Sequence, residues 1–558
     1  MEPGLSLLRR HSDIPLSNST LIQLIDNSLN RFKYNTYIIS KEQRLHVTYE
    51  KAVNDADNLA AGLIELGMEP KDRIGMIIHN SVESIVANFA CIRGGFVAVN
   101  LNPALQPREL EHCMKITQMK CLIIVDRYKV FNILGILQKV IPEIEDTVYN
   151  PIEAKEFPHF KRVVMIDDQL HKGTCCFKSV IAMGKATAKN KLKEYQAQVK
   201  PEDLSHIIFT SGTTGNPKPV GLTHFQIYNT VIFFGMRVAS DRRPTRVCFV
   251  LPQFHVFGMG FTLISLNYGN TLVLPSFYYN SESTLEAISI DHCSVIMGTP
   301  TMLADLVKYQ SLKSLPIQID ECHCGGAPGS EKLFKKVIQI LDVGRLADGY
   351  GATEALAISW PLRNDQIDYT SRCVGHLMDH LEAKVVDPEG RIVPFGTVGE
   401  LYVRGYSVVK SYLDGENSDV FDKDGWYHTG DTIYMTDDGR LHIMGRLKDI
   451  INRGGEKVSP AEVEAILSKH DNIQEVCIVG TKDERLGEEV CACVVLEDDD
   501  IDFTLSDIRN FCSGQLSHYK IPSRLEIMTH LPKTPMGKVK KAMLVDRISH
   551  PQAKKESD

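Results

Sequence analysis

The sequence TSGTTGNPK, formed by Thr210, Ser211, Gly212, Thr213, Thr214, Gly215, Asn216, Pro217 and Lys218, has the composition of a phosphate-holding loop. Its hydroxyls can donate to an anion, its glycines keep the backbone flexible, and its lysine supplies a positive charge. The Walker A pattern needs glycine directly before the lysine and serine or threonine after it. Here Pro217 precedes Lys218 and Pro219 follows it, so a P-loop NTPase is excluded. The alternative interpretation is a plain surface loop rich in serine, threonine and glycine.

The surroundings of this loop predict an α/β fold. We expect a strand at residues 204–210 and a helix beginning near Thr223, so the loop would join a strand to a helix. Such loops hold anions at the carboxyl edge of a parallel sheet. Further strands are expected at residues 73–78, 121–125, 270–274, 294–297 and 317–322, the last leading into the loop Gly325, Gly326, Ala327 and Pro328. Several strand ends should therefore meet at one cleft.

Chain length and a change of pattern near Gly439 predict more than one domain. With 558 residues the chain is too long for one ordinary core. We expect a large, multi-lobed N-terminal domain with doubly wound mixed sheets, a hinge and a small mobile α+β C-terminal domain, at residues 1–444, 445–449 and 450–545, then a polar tail at 546–558. Residues 168–200 should form a linking or peripheral segment. Ser459, Pro460 and Glu462 predict a helix start with a capping box.

Charge and hydropathy exclude several classes of protein. The net charge of -8 gives no positive field for binding nucleic acid. No apolar run reaches the roughly 18 to 20 residues of a transmembrane helix, although peripheral membrane contact stays open. Arg9 and Arg10 near the N-terminus make a weak mitochondrial signal, and the terminal Lys-Glu-Ser-Asp is not the SKL peroxisomal signal. We therefore expect a cytoplasmic or mitochondrial protein.

The cysteines indicate a reducing compartment. Fourteen cysteines are spread through the chain without the spacing of a disulfide framework. The sequence Cys322-His323-Cys324, with His292 and Cys293 before it, is the one cluster that resembles a metal site. Alternating residues on a buried strand explain this cluster more simply than zinc does.

Four further segments carry chemistry that suits a nucleotide. Tyr350-Gly-Ala-Thr-Glu354 places a hydroxyl and a carboxylate after a glycine turn, as a ligand for phosphate-bound Mg2+ would require. Asp431, which ends the sequence YHTGD, could accept hydrogen bonds from a ribose diol. Arg446 offers a guanidinium fork and Lys538 a mobile charge. Taken singly, each is also explained as a turn, hairpin or surface residue.

Taken together and in order, these motifs resemble a family. TSGTTGNPK, GGAP, YGATE, YHTGD, GRLKD and PKTPMGK are similar to the core motifs of the adenylate-forming superfamily, which includes acyl-CoA synthetases, luciferases and adenylation domains. The resemblance covers about residues 20 to 545. MGTPTM, INRGGEKVSPAEVE, DERLGEEVCACV and SHYKIP look most like medium-chain fatty acyl-CoA synthetases of the type called acyl-CoA synthetase family member 2.

The resemblance implies a two-step reaction and roles for individual residues. A carboxylic acid would react with ATP to give acyl-AMP and pyrophosphate, and coenzyme A would then displace AMP. The loop of residues 210–218 would hold the ATP phosphates, Thr353 and Glu354 would lie by phosphate and Mg2+, and Lys538 would bridge the carboxylate and the α-phosphate. The residues flanking adenine and the acyl end would be Gly325, Gly326, Ala327, Pro328, Asp348, Gly349, Tyr350 and Gly351, with Asp431 and Arg446 at the ribose.

The same resemblance assigns the thioester step and the acyl pocket. The C-terminal domain would turn about Lys448 and present Arg453, Gly454, Gly455 and Glu456 to coenzyme A. His255 matches the family's gate to the acyl pocket, although a core histidine is the alternative. Apolar lining would come from a helix carrying Ile227, Val231, Phe233 and Phe234.

Three residues depart from the family pattern. Pro219 replaces the usual glycine and removes an N–H, which would lower turnover if that amide bonded phosphate, and would only stiffen the loop if it pointed away. Asn452 stands where luciferases have lysine, which favours the fatty-acyl branch. Asp348 adds a negative charge near the adenine end, with an effect that the sequence leaves open.

We therefore expect an ATP-dependent fatty acid–CoA ligase acting on medium-chain acids, with ATP, Mg2+ and coenzyme A required. One alternative is an adenylate-forming enzyme with a different second step, in which the adenylate is oxidised, as in luciferases, or the acyl group is transferred to a carrier protein. Another is a catalytically silent protein that binds acyl groups or nucleotides, which Pro219 makes conceivable.

Overall fold

The computed structural model of the chain describes most of its length. The described residues are 4–147, 151–167, 169, 171–187, 189–211, 217–238, 245–327, 329–365, 373–415, 420–454, 456–483, 485–498, 500–534 and 537–549. Of the predicted site residues, Gly212, Thr213, Thr214, Gly215, Asn216, Pro328 and Gly455 lie outside them.

Up to residue 200 the chain alternates strands and helices. The strands are β1 (Leu7–Arg9), β2 (Thr36–Ser40), β3 (Leu45–Thr48), β4 (Arg73–Ile77), β5 (Val97–Asn100), β6 (Cys121–Ile124), β7 (Arg127–Tyr128), β8 (Phe131–Asn132), β9 (Arg162–Met165) and β10 (Thr174–Cys176). The helices are α1 (Leu21–Phe32), α2 (Tyr49–Glu65), α3 (Val82–Gly94), α4 (Pro107–Thr117), α5 (Ile133–Val140), α6 (Phe177–Ala186) and α7 (Asn190–Gln198).

The middle of the chain continues this alternation and then becomes mostly strand. Its strands are β11 (Leu204–Ser211), β12 (Pro217–Thr223), β13 (Arg246–Phe249), β14 (Thr271–Leu274), β15 (Val295–Gly298), β16 (Ile319–Gly325), β17 (Val343–Ala352), β18 (Leu356–Trp360), β19 (Cys373–Leu377), β20 (Leu381–Val386), β21 (Gly399–Gly405), β22 (Tyr427–Met435) and β23 (Arg440–Arg446). Its helices are α8 (His224–Val238), α9 (Val256–Tyr268), α10 (Ser281–Asp291), α11 (Pro300–Lys313) and α12 (Glu331–Ile340).

The last hundred residues form a separate α+β unit. Its strands are β24 (Ile451–Arg453), β25 (Glu456–Val458), β26 (Ile473–Asp483), β27 (Gly487–Leu496) and β28 (Arg524–Ile527), and its helices are α13 (Pro460–Leu467), α14 (Leu505–Cys512) and α15 (Lys541–Ser549). These strands make their own five-stranded sheet, with hydrophobic clusters on its two faces.

The N-terminal part is built on two large sheets that share one core. The first has fourteen strands in the order β1-β20-β21-β22-β23-β19-β18-β17-β16-β15-β13-β14-β2-β3, and the second has seven in the order β10-β9-β6-β4-β5-β11-β12. Strands β13 to β17 of the first sheet run parallel, whereas β18 to β23 pair antiparallel. The predicted fold class, an α/β protein with mixed sheets and a small C-terminal α+β domain, is confirmed.

The predicted strand before TSGTTGNPK and the helix beginning near Thr223 are confirmed, but a further strand, β12, lies between the loop and that helix, so the prediction that the loop leads directly into a helix is wrong. β11 and β12 pair antiparallel, with Thr210 opposite Lys218, and α8 begins only after β12, at His224. β12 tolerates its prolines because it is the edge strand of its sheet. Any phosphate contacts of this loop would therefore come from the loop itself and not from a helix N-terminus.

Residues 168–200 also differ from the expectation of a linking segment. They contain β10 and the helices α6 and α7, and α6 packs closely against α2. The close approach depends on two glycines, because a Cβ at Gly62 would lie 2.0 Å from Val180 O and one at Gly184 would lie 1.8 Å from Asn58 O. The weak hydrophobic pattern hides these helices because glycines make part of their packing surface.

The start of α13 lacks the predicted capping box. Ser459 is the N-cap residue, but its hydroxyl donates to Met444 O at 2.9 Å, and Glu462 pairs with Lys520 at 2.7 Å. Both side chains therefore hold this helix to neighbouring segments, one of them just before the predicted hinge.

No helix in the described part of the chain has the length and apolar character needed to span a bilayer. Near the N-terminus, Arg9 pairs with Glu382 at 3.7 Å and Arg10 with Asp379 at 2.8 Å. The two arginines that suggested a targeting signal thus have partners in the fold.

Replacing Gly184 with alanine should destabilise the protein, because the new methyl group would collide with backbone atoms of α2. Overpacking of this kind costs about 1–3 kcal/mol, so the apparent melting temperature should fall by about 1–3 °C for a unit of this size. The control is Gly260→Ala in α9, where a Cβ would meet no atom within 4 Å. Equal melting temperatures for the two variants would contradict the close α2–α6 packing.

Candidate active site

A buried carboxylate, Asp431, organises the centre of the site. It lies on β22 opposite Arg446 of β23, and Arg446 Nε lies 2.8 Å from Asp431 Oδ1. The Tyr350 hydroxyl donates to Asp431 Oδ2 at 2.5 Å, and Asp431 N donates to Thr429 Oγ1 at 3.1 Å. A carboxylate has about four acceptor sites, so Asp431 keeps capacity for a further donor such as a ribose hydroxyl.

Lys538 reaches this centre from the C-terminal unit. The Thr301 hydroxyl at the start of α11 donates to Gly537 O at 2.9 Å, which fixes the loop that carries Lys538. Gly537 has φ of 77°, and a Cβ there would lie 2.7 Å from Thr301 Oγ1. Only glycine meets both conditions without strain.

Neighbouring charges and the surrounding protein change the acidity of Lys538. Desolvation and the positive charge of Arg446 lower its pKa from 10.5 to about 8, against the opposing attraction of Asp431. The side chain itself is solvent-exposed, so water screens these charges in part. Below this pKa the ammonium carries its charge next to Arg446, an arrangement that an anionic ligand would stabilise.

A second group joins the TSGTTGNPK loop to the predicted metal ligand. Thr353, Glu354 and Ala355 form the turn between β17 and β18, whereas the predicted glycine turn at Gly351 is part of β17. The Tyr412 hydroxyl donates to Glu354 Oε1 at 2.8 Å, and Lys218 Nζ lies 5.1 Å from the centre of the Tyr412 ring. Tyr412 therefore contacts the carboxylate through its hydroxyl and the lysine through the face of its ring.

An apolar cavity of about 680 Å³, including its part open to solvent, lies beside Tyr350. Gly325, Gly326, Gly349 and Gly351 line one side. Ile227, Val231 and Phe234 of α8 line another, as predicted, together with Met259, Ile264 and Trp360. The prediction is wrong for Phe233, which is fully buried and packs edge-on against His380 at 4.9 Å. Gly349 cannot carry a side chain, because its Cβ would lie 1.8 Å from the Trp360 ring.

His255 lines this cavity and also has a structural role. It is the N-cap residue of α9, where its Nδ1 accepts from Phe257 N at 3.2 Å. Burial lowers its pKa to about 4, so the ring is neutral at pH 7. His255 therefore caps α9 and lines the cavity, and its role as a gate to the acyl pocket stays a prediction.

Asp348 is buried at the end of the parallel sheet, next to the cavity wall. Burial raises its pKa to about 7, against the opposing effect of the Cys324 thiol. The negative charge that the sequence places at the adenine end is thus largely lost as the pH falls through 7.

Pro219 does not remove a hydrogen bond from the sheet. Its carbonyl accepts from Leu413 N at 3.0 Å, on the side of β12 away from β11. In a strand the N–H and C=O of one residue point to the same side, so the missing N–H would also have pointed toward Leu413. The structure favours a stiffened strand over a lost phosphate contact.

The residues predicted to face coenzyme A lie in the C-terminal unit. Arg453 ends β24 and donates from Nη1 to Tyr519 O at 2.9 Å, Gly454 has φ of 60°, and Glu456 begins β25. The predicted hinge residue Lys448 is exposed in a 3₁₀ turn at Leu447–Asp449 that follows Arg446.

Within the described residues, no group of three or more His, Cys, Asp and Glu side chains is arranged to hold a metal ion. Cys322, His323 and Cys324 lie buried on β16, where His323 Nε2 lies 3.1 Å from Val238 O. Mg2+ at polyphosphate sites uses only one or two carboxylates, with phosphate and water completing its shell. Glu354, with one Oε1 lone pair taken by Tyr412, fits that requirement.

Comparison with known proteins assigns the class. The AMP-binding enzyme family matches residues 25–413, and the AMP-binding enzyme C-terminal domain matches residues 462–538. The chain therefore belongs to the AMP-binding enzyme family, which confirms the predicted adenylate-forming superfamily.

Curated relatives narrow the comparison further. The chain is similar to "Medium-chain acyl-CoA ligase ACSF2, mitochondrial" of Danio rerio, with 33% identity over 96% of this chain and 89% of that protein. The Homo sapiens protein of the same name is 32% identical over 98% of this chain and 90% of its own length. This agrees with the branch that the sequence motifs resemble.

Solved structures support the fold. An anthranilate CoA ligase AuaEII in complex with anthranoyl-AMP has a TM-score of 0.85 and 23% identity, covering 97% of this chain and 99% of that one. ATP-bound MatB from Rhodopseudomonas palustris has a TM-score of 0.77 and 22% identity, covering 97% and 100%.

Several residues of the site escaped the sequence analysis. Tyr412 connects Lys218 with Glu354, Thr301 holds the Lys538 loop, and Trp360 closes the cavity behind Gly349. Tyr412 and Trp360 stand outside the quoted motifs, so no local pattern marks them, whereas Thr301 lies in MGTPTM, which indicated the family branch but not this contact. The short sequence Lys410-Ser-Tyr412 is typical of a protein surface, and only the fold shows that Tyr412 contacts Glu354.

Because its pKa is lowered, Lys538 should react with acetic anhydride at a lower pH than an ordinary lysine does. Only the neutral amine is acylated, so labelling of Lys538 should reach half its maximal rate near pH 8. Lys541 is the internal control: desolvation acts to lower its pKa, but Glu464, Cys477 and Asp449 together outweigh it, so the pKa is raised. Mass spectrometry of one digest compares both; parallel pH profiles would contradict the electrostatic description of Lys538.

Proposed function

We propose that this protein is an ATP-dependent, AMP-forming acyl-CoA ligase that acts on medium-chain fatty acids. The proposal rests above all on the Asp431–Arg446 pair, which feels the charge of Lys538 and which is joined through Tyr350 to an apolar cavity. Tyr350 connects the polar residues with the cavity, because its hydroxyl donates to Asp431 and the residue also lines the cavity. A polar nucleotide site thus adjoins a space suited to an apolar tail.

In the first step, a carboxylate oxygen of the fatty acid would attack the α-phosphorus of ATP. A new O–P bond forms, and the bond to the bridging oxygen breaks, with pyrophosphate leaving with the electron pair. Two anions must approach each other, so a cation between them lowers the barrier. Lys538 would supply that charge, while Asp431 and Arg446 would orient the ribose.

The phosphates would lie against the β11–β12 hairpin, where Lys218 adds positive charge. Thr353 and Glu354 are placed to meet them, and Glu354 would be the protein ligand of Mg2+, held by Tyr412. Bound Mg2+ would neutralise phosphate charge and orient the leaving pyrophosphate.

In the second step the sulfur of coenzyme A would attack the acyl carbonyl carbon. The C–S bond forms, AMP departs with the electrons of the C–O bond, and the thiol proton is lost to solvent. Arg453, Gly454, Gly455 and Glu456 would face the pantetheine after movement about Lys448. This movement would withdraw Lys538, whose role ends with the adenylate.

The lining of the cavity supports a monocarboxylic acid with an apolar chain. Among the described residues that line it, none carries a charge at pH 7, since His255 is neutral. A second carboxylate, as in a dicarboxylic acid, would be desolvated there without a partner. The name of the curated relatives, medium-chain acyl-CoA ligase, supports the same chain-length class.

The names of these relatives include a mitochondrial location, which favours the mitochondrion over the cytoplasm for this protein. Fractionation of cells that express the full chain with a C-terminal tag would test this location.

A panel of acids tests the proposed activity. Pyrophosphate release with ATP and Mg2+ should be fastest for straight-chain acids of about eight to twelve carbons, and coenzyme A should yield the thioester. Acetate, malonate and benzoate serve as short, dicarboxylic and aromatic controls. Pyrophosphate release without any thioester would favour an adenylate-forming enzyme that passes the acyl group to an acceptor other than coenzyme A or oxidises the adenylate. Nucleotide binding without pyrophosphate release would favour the catalytically silent binding protein.

Lys538→Ala should separate the two half-reactions. Acyl-AMP formation should fall by about 10²-fold or more, as when a preorganised transition-state donor is removed. Thioester formation from supplied acyl-AMP and coenzyme A should stay within about twofold, because the lysine would have completed its role. Equal loss in both assays would contradict the assignment of Lys538 to adenylation alone.

A further inference from the structure

Lys332 joins the two units of the protein and does not line the apolar cavity. It lies in the first turn of α12, and its Nζ donates to three backbone carbonyls of the C-terminal unit: His470 O at 3.1 Å, Asp471 O at 3.3 Å and Ile473 O at 3.0 Å. A lysine ammonium has three donors. All three are therefore matched by acceptors that follow the end of α13, where helix carbonyls concentrate negative potential.

One carboxylate strengthens this contact. Glu497, at the end of β27, lies 3.3 Å from Lys332 Nζ and 2.9 Å from Lys336 Nζ. The charges of the two lysines lower the pKa of Glu497 despite its partial desolvation. The side chains of Lys332 and Glu497 are 24% and 33% exposed, so this is a partly shielded group and not a loose surface pair. We name Lys332, Lys336, Glu497 and the carbonyls of His470, Asp471 and Ile473 the α12 clamp.

The clamp and the Lys538 loop are two attachments of the C-terminal unit, in addition to the Ser459–Met444 hydrogen bond beside the predicted hinge. At one of them Thr301 of α11 holds Gly537, and at the other Lys332 of α12 holds the residues before β26. α11 and α12 are neighbours in the large N-terminal part. A rigid unit held at one point can still rotate, whereas a second, separate point restrains that rotation. The orientation of Lys538 toward Asp431 therefore depends on both.

We propose that Lys332 is a positioning residue for Lys538, acting through the α12 clamp to hold the C-terminal unit in the orientation that forms acyl-AMP. This inference rests on the proposed ligase function for its kinetic consequence. Lys332 itself touches neither nucleotide nor acyl chain. Its loss should therefore affect the half-reaction that needs Lys538 and spare the one that does not.

Lys332→Met tests this with matched half-reactions. Methionine keeps an unbranched side chain but cannot donate to the carbonyls. Hydrogen bonds to a charged group contribute about 1.5–3 kcal/mol, so kcat for acyl-AMP formation from ATP and octanoate should fall by roughly tenfold or more. The KM for octanoate and thioester formation from supplied octanoyl-AMP and coenzyme A should stay within about twofold.

Two further variants provide the controls. Lys335→Met changes the next lysine of α12, which is exposed and pairs with Glu331 of the same helix at 2.6 Å; it should match the wild type in both assays. Glu497→Gln keeps the carbonyl acceptors and should lose less adenylation rate than Lys332→Met. Identical kinetics for Lys332→Met and Lys335→Met would overturn the proposal, and so would equal losses in both half-reactions.

A structural measurement keeps this inference separate from the ligase function. Gly537 N donates to Thr534 O at 2.8 Å and Lys540 N to Pro532 O at 2.8 Å. Hydrogen exchange of the peptide covering residues 532–540 should be faster in Lys332→Met than in Lys335→Met, because the loop loses its second restraint. If the wild type releases no pyrophosphate with any acid, the ligase proposal fails, while unchanged exchange would overturn the clamp on its own.

Discussion

The site depends on the close contact between the backbone of Gly537 and the Thr301 side chain. This contact brings Lys538, from a unit with its own sheet and core, to a carboxylate held by the antiparallel strands β22 and β23. Thr301 stands at the beginning of α11, directly after the parallel strand β15. The parallel strands, the antiparallel strands and the C-terminal unit thus each supply one part of the same centre.

That arrangement explains why the polar and apolar halves of the site are neighbours. Tyr350 lies where the parallel strand β17 turns to pair antiparallel with β18, and it contacts Asp431 on one side and the cavity on the other. Glycines on β16 and β17 let a ligand approach the strand ends closely, because they leave the backbone uncovered. The transition from parallel to antiparallel pairing is therefore where a nucleotide and an acyl chain could meet.

Much of this could be predicted from the sequence, and the failures share a cause. Buried strands such as β4, β6 and β15 are marked by short apolar runs between helices, and the ordered motifs indicated the superfamily. Ser459 has the local pattern of a capping box, yet its hydroxyl binds Met444 O instead. Tyr412 and Lys332 act across 58 and 138 residues of sequence. Such side chains have no local signature, because their partners are chosen by tertiary packing.

The residues that line the cavity differ in whether they tolerate a larger side chain. This difference determines where substitutions could alter substrate preference. Gly349 is fixed by the Trp360 ring, so even a methyl group there displaces the indole, whereas Gly260 faces open space on the α9 side. Substitutions at Gly260 could accumulate without disturbing the strand that carries Tyr350. Evolution or laboratory selection toward shorter acids would therefore be expected to proceed through α9, leaving the nucleotide-binding half of the enzyme untouched.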